Sequence, residues 1–147
     1  MEPRKFLDLA QLLVLGTPQP ERLRSATSRA YYAVYNVSRK ILSDLGFQIP
    51  TGPSGHGEVC HRFGNSGNTD LQMVGSQLGT LRRFRNNADY DLADSSPEKP
   101  ANVKAHVEQA KRMIETVERC CAGQTKQRIV DAIKEWEQLT SGGHLNN

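Results

Sequence analysis

Residues 101–121 read ANVKAHVEQAKRMIETVERCC. Val103, Val107, Ala110, Ile114, Val117 and Cys121 fall at steps of four, three, four, three and four. That spacing puts them on one stripe of an α-helix, with charged residues between them, as a helix packed in a bundle requires. Cys121 occupies a stripe position, so its thiol reads as a packed apolar group.

Outward from this helix the pattern repeats. Before it, a helix is predicted from about Asp70 or Leu71, with Asn68-Thr69-Asp70 as its N-cap and Leu71, Val74, Leu78 and Leu81 as its stripe. Gly75 and Gly79 lie inside it and permit close approach of another backbone. The longest helix is predicted from about Pro20 to Leu45, where Gly46 stops it. Its stripe runs Leu23, Ala26 or Thr27, Ala30, Val34, Val37, Ile41 and Leu45. A second face carries Arg24, Ser28, Tyr31 and Tyr35, so this helix can pack on two sides. A first helix over about Pro3 to Leu15 presents Phe6, Leu9, Leu13 and Ala10. A short helix is expected over His56 to Phe63, and a last one over about Gln124 to Thr140 with Ile129, Ile133 and Trp136 inward.

No segment alternates like a β-strand, and there is no internal repeat or domain linker. The expected fold is therefore all-α: an up-and-down bundle of five or six helices, with the second, fourth and fifth at its centre. Residues 1–140 form one domain in this reading, and residues 141–147 a flexible tail.

Composition narrows the function classes. The chain has 147 residues, 37% hydrophobic and 24% charged, with net charge +3. That suits a globular domain and permits nucleic-acid binding without requiring it. No run of about 18 apolar residues is present, so no membrane span is expected. In MEPRKFLDLAQLLVLG, Asp8 and Gln11 interrupt the apolar residues, which favours a cytosolic helix over a signal peptide. Three cysteines, Cys60, Cys120 and Cys121, form no disulfide framework, and reduced thiols in a cytoplasmic protein are expected. Phosphate-loop, dinucleotide and paired-cysteine zinc patterns are absent. His56 and Cys60 share a helix face but fall short of a metal set, so neither metal nor cofactor is expected.

The chemistry concentrates in Leu81–Leu92, LRRFRNNADYDL. Continuing the stripe of the fourth helix gives Arg85, Ala88 and Leu92. An arginine on a core-facing stripe must be paired, or must open onto a cleft or interface. Asp89, one turn on, is its obvious partner. Arg82 and Arg83 add charge that can track a nucleic-acid backbone.

The order SRAYYAVYN, SGHGEVCHRFG, LRRFRNNADYDL resembles the HEPN superfamily of helical bundles, over roughly Leu23 to Leu92. It is most similar to the small prokaryotic members encoded beside a minimal nucleotidyltransferase. The resemblance implies a homodimer whose two copies form one groove. It also implies a toxin–antitoxin or defence role and, in many members, metal-independent RNA cleavage by an arginine followed four to six residues later by a histidine. Arg85 matches the arginine and Asn86 the polar residue after it. Tyr90 stands where the histidine would be, with Asp89 beside it.

That departure matters chemically. A histidine titrating near neutrality can move the 2′-hydroxyl proton or protonate the leaving oxygen. Tyrosine is a poor base, and an aspartate ionised beside arginine is a weak one. Arg85 can still hold a phosphate. The expected function is binding of RNA or nucleotides at a dimer groove, with a nucleotidyltransferase partner. One alternative is an active endoribonuclease toxin using Arg85, Asp89, Tyr90 and His56, where His56 or His61 supplies the missing imidazole. The other is a structural dimerisation protein in which Arg85–Asp89 is only an ion pair. The candidate binding residues are Arg82, Arg83, Arg85, Asn86, Arg24 and Tyr31, and the tyrosine face of the second helix with the Arg85 region is the candidate dimer interface.

Overall fold

The computed structural model describes residues 1–144, and within them the chain is helical and contains no strand. Six α-helices follow in order: α1 (Lys5–Leu13), α2 (Pro20–Asp44), α3 (Pro53–Gly64), α4 (Thr69–Tyr90), α5 (Pro100–Cys120) and α6 (Lys126–His144). Residues 141–144 continue α6, and the rest of the segment expected as a tail, residues 145–147, lies outside the described residues. No helix among the described residues is long and apolar enough to cross a membrane.

Local chemistry sets the helix ends. Pro20, Pro53 and Pro100 open α2, α3 and α5, where their missing N–H groups would have no intrahelical partner. Asn68 caps α4 by accepting from the Leu71 amide at 3.0 Å, as its position predicts. At the end of α2, Gly46 adopts φ +97°. The Phe47 amide then donates to the Leu42 carbonyl at 2.9 Å and the Gly46 amide to Ser43 at 3.0 Å. This is a Schellman closure, and it turns Phe47 inward to a buried position.

α2 is the centre of the bundle and packs against α1, α4 and α5, while α3 lies across α4 and α2. The stripe read for α5 is buried in full, and Met113 joins it. Gly75 brings α3 close, since a Cβ there would stand 3.2 Å from Phe63 Cβ and 3.3 Å from the Cys60 carbonyl. Gly79 faces open space and has no such role. Cys120 and Cys121 are both buried, and burial pushes the Cys121 thiol up to about 11.

Three expectations need correction. In α1 the buried residues are Leu7 and Ala10, while Leu9 is exposed. Leu12 is exposed as well, so α1 buries a narrower and rotated stripe. Leu92 is not on the core stripe: α4 ends at Tyr90, Asp91 leaves helical geometry, and Leu92 is 74% exposed. Finally, the tyrosine face of α2 is not a free interface. Tyr31 is 0% and Tyr35 6% exposed. The face packs within the chain, against α3 at His56 and Gly55, with the α4 arginines Arg82 and Arg85 close by.

Candidate functional site

The second face of α2 becomes the floor of a cluster built from three helices. α3 sets His56 on this floor. The imidazole stacks on Tyr35 with ring centroids 4.1 Å apart and on Tyr31 at 5.5 Å. Its Nδ1 is hydrogen-bonded to the Tyr31 hydroxyl. The close fit depends on Gly55, where a Cβ would stand 2.3 Å from the Pro50 carbonyl oxygen and 2.5 Å from the Tyr35 hydroxyl. Gly55→Ala must therefore displace the first turn of α3. The expected loss is about 1–3 kcal/mol, as for other overpacked sites, seen as a lower midpoint of urea unfolding. An unchanged midpoint would mean that this turn tolerates the shift.

α4 contributes the charges. Arg85 lies over the Tyr32 ring at 5.0 Å and donates from Nη2 to the Tyr32 hydroxyl at 2.5 Å. From Nη1 it donates to Asn86 Oδ1 at 2.7 Å. Its Nε is 3.1 Å from Asp89 Oδ2 but off the N–H direction, so the pair is an ion contact without a formed hydrogen bond. Asp89 in turn accepts from Ser28 Oγ at 3.1 Å. Tyr90 is 74% exposed, and its ring lies 5.6 Å from the Arg85 guanidinium carbon. Arg82 is half-buried, and its Nε is buried with no hydrogen-bond partner. No carboxylate pairs with Arg82 among the described residues.

Burial lowers the His56 pKa, and the charges of Arg82 and Arg85 lower it further. Burial raises the Tyr31 pKa well above the ordinary tyrosine value, so the phenol keeps its proton. Cys60, one turn along α3 from His56, is likewise raised by burial. His106, on α5, is lowered by burial too. Both histidines thus bind fewer protons folded than unfolded just below the ordinary value of 6.5. Their contribution to stability is complete above that pH and is lost as pH falls through the lowered folded values. Urea midpoints taken across about pH 7.5 to 5.5 should therefore decline towards acid. A flat or rising profile would contradict the burial of neutral imidazoles.

The structure brings together His56, Tyr31, Arg82, Arg85, Asn86, Asp89 and Tyr90. It does not bring in Arg83, which is exposed and donates to Thr80 Oγ1 at 3.3 Å. His61 lies elsewhere, edge-on to Trp136 of α6.

Arg24 has a different position from the one its charge suggested. It is 8% exposed. Its Nη1 donates to the carbonyls of Ala88 at 3.0 Å and Asp91 at 3.1 Å, and its Nη2 to that of Asp94 at 2.5 Å. Nε donates to Glu98 Oε1 at 2.8 Å. A guanidinium committed in this way closes the C-terminus of α4 and is not free for a phosphate.

Tyr32 escaped the sequence reading, and Ser28 was read only as part of the second face of α2. Tyr32 holds Arg85, and Ser28 holds Asp89. The spacing could have found the first, because Tyr32 follows Ser28 by four residues and so shares its side of α2.

Among the described residues no group of three or more metal-binding side chains occurs. In comparisons with family models, with curated proteins and with solved structures, the chain finds no match.

Proposed function

We propose that this chain binds RNA or nucleotides by their phosphates, at the cluster where His56, Arg82 and Arg85 meet. The observation that carries this reading is the convergence itself. Two half-buried arginines from α4 and an imidazole from α3 act on one another across the tyrosine floor. Among the described residues His56 Nε2 has no hydrogen-bond partner, and it is not a buried orphan, so it reaches solvent. Guanidinium groups in a partly desolvated site bind phosphate oxygens strongly. Exposed Tyr90 beside Arg85 offers a face on which a base can stack.

The resemblance to HEPN proteins adds a biological frame. In it the chain works as a homodimer whose two copies form one shared groove, beside a minimal nucleotidyltransferase in a toxin–antitoxin or defence pair. Tyr90, exposed at the groove, is then a candidate acceptor for a nucleotidyl group from that partner. A cytoplasmic setting follows from the same frame.

A second reading, metal-independent RNA cleavage, is favoured by one observation: an imidazole does accompany Arg85, although it comes from α3 and not from the position of Tyr90. An assay separates the readings. Labelled single-stranded RNA is titrated with the protein in the presence of chelator and followed by anisotropy, with the same samples run on a gel. Salt-dependent binding with intact RNA is the expected result. Chelator-resistant cleavage would move the conclusion to the nuclease. No binding even at low salt would leave Arg85–Asp89 as a structural pair in a helical dimerisation protein.

A further inference from the structure

The direction of one hydrogen bond decides what His56 can do in this cluster. Tyr31 is 0% exposed, and its hydroxyl has a single partner among the described residues, His56 Nδ1. A hydroxyl has one proton to place. Buried away from water, that proton has no acceptor except Nδ1, and leaving it unpaired would carry the full penalty of an unsatisfied buried donor. The phenol does not ionise near neutrality, because burial opposes the charge.

We propose that Tyr31 is a positioning residue that donates to Nδ1 and so fixes neutral His56 as the tautomer with its proton on Nε2. The solvent-reaching nitrogen is then an N–H donor. Together with the guanidinium N–H groups of Arg82 and Arg85 it gives the cluster a three-donor set for phosphate oxygens. The same lock disarms His56 as a base. Nε2 already holds its proton and has no lone pair with which to take another; a second proton could go only to Nδ1, and the phenol proton would then lose its acceptor. The groups facing the ring work in the same sense. α2 presents Tyr31, Tyr32 and Tyr35, and α4 has Arg82 and Arg85; Cys60 of α3 acts on Tyr31. Burial and the charges of Arg82 and Arg85 oppose the imidazolium, and no carboxylate offsets them. This rests on the reading of the cluster as a phosphate site and refines it: the ligand is held by donors and left uncut.

Long-range proton–nitrogen correlation spectra of the ligand-free protein test the assignment directly. In the wild type, His56 should show an acceptor-type Nδ1 and a protonated Nε2. Tyr31→Phe should lose that pattern and titrate at higher pH. Tyr35→Phe keeps the stacked ring and should leave the pattern unchanged. A wild-type spectrum with the proton on Nδ1 would overturn the proposal, as would a Tyr31→Phe spectrum identical to the wild type. Because no ligand is present, this outcome is independent of RNA binding. A locked tautomer in a protein that fails to bind RNA would sink the binding reading while leaving the Tyr31 assignment standing.

Discussion

Arg24→Met should lower the stability of the fold by about 3 kcal/mol, the lower end of what breaking a buried ion pair costs. With slopes typical of small domains in urea, that is a midpoint lower by about 1–3 M. The reasoning starts at the end of α4. The last carbonyls of a helix lack intrahelical donors and carry its negative dipole end. α4 has no basic residue of its own in its last turn. Arg24 supplies one from α2, reaching the Ala88, Asp91 and Asp94 carbonyls and pairing with Glu98 at 2.8 Å. Methionine fills much of the same space but strands these acceptors. Glu98 keeps about a third of its side-chain exposure and can be rehydrated, which argues for the lower end of the range. Arg24→Lys retains the charge but not the fork, and should fall between the two. A loss under about 1 kcal/mol for Arg24→Met would mean that water replaces the guanidinium, and the capping role would be dropped.

Arg85→Ala should weaken RNA binding by about 10- to 150-fold, the equivalent of one charge-assisted hydrogen-bonding group at 1.5–3 kcal/mol. It should also flatten the salt dependence, because one fewer phosphate is neutralised. The fold should survive. Arg85 sits at the rim, with its side chain 14% exposed, and its partners Asp89, Asn86 and Tyr32 can all turn to water. Arg82→Ala should act in the same direction, whereas Arg83→Ala, with its side chain outside the cluster, should change affinity little. Equal effects of Arg82, Arg83 and Arg85 would indicate diffuse attraction to a basic surface, and the cluster would lose its claim. Unfolding of Arg85→Ala without loss of ligand affinity in the folded fraction would return the residue to a structural role.

Periodicity was a good guide where a helix has one broad apolar stripe. α5 is the clearest case, and every stripe residue from Val103 to Cys121 is buried. It was a poor guide in α1, where the leucines of FLDLAQLL point in several directions and only packing against α2 selects Leu7 and Ala10. The stripe of α4 held from Leu71 to Ala88 and failed at Leu92, because the chain leaves the helix at Asp91. In the site, the Arg85–Asp89 contact was legible because both residues lie on one helix. The role of Arg24 was not, since its partners lie 63–74 residues away and nothing near it in the chain marks them. His56 was read at the start of a short helix and as a candidate imidazole for the Arg85 site, but spacing could not place it; its position beside the arginines is set by how α3 packs over α2 and α4.

The double packing of α2 affects how natural variation in this protein would be read. Thirteen of its 25 residues are buried, and they include both the hydrophobic stripe and the tyrosine floor of the cluster. Selection for a folded bundle alone would hold Tyr31 and Tyr35 nearly constant, whatever ligand the cluster takes. Invariance at those positions across related sequences would therefore carry no information about function. The most informative position is the solvent-facing Tyr90, which is 74% exposed and whose side chain makes no hydrogen bond among the described residues.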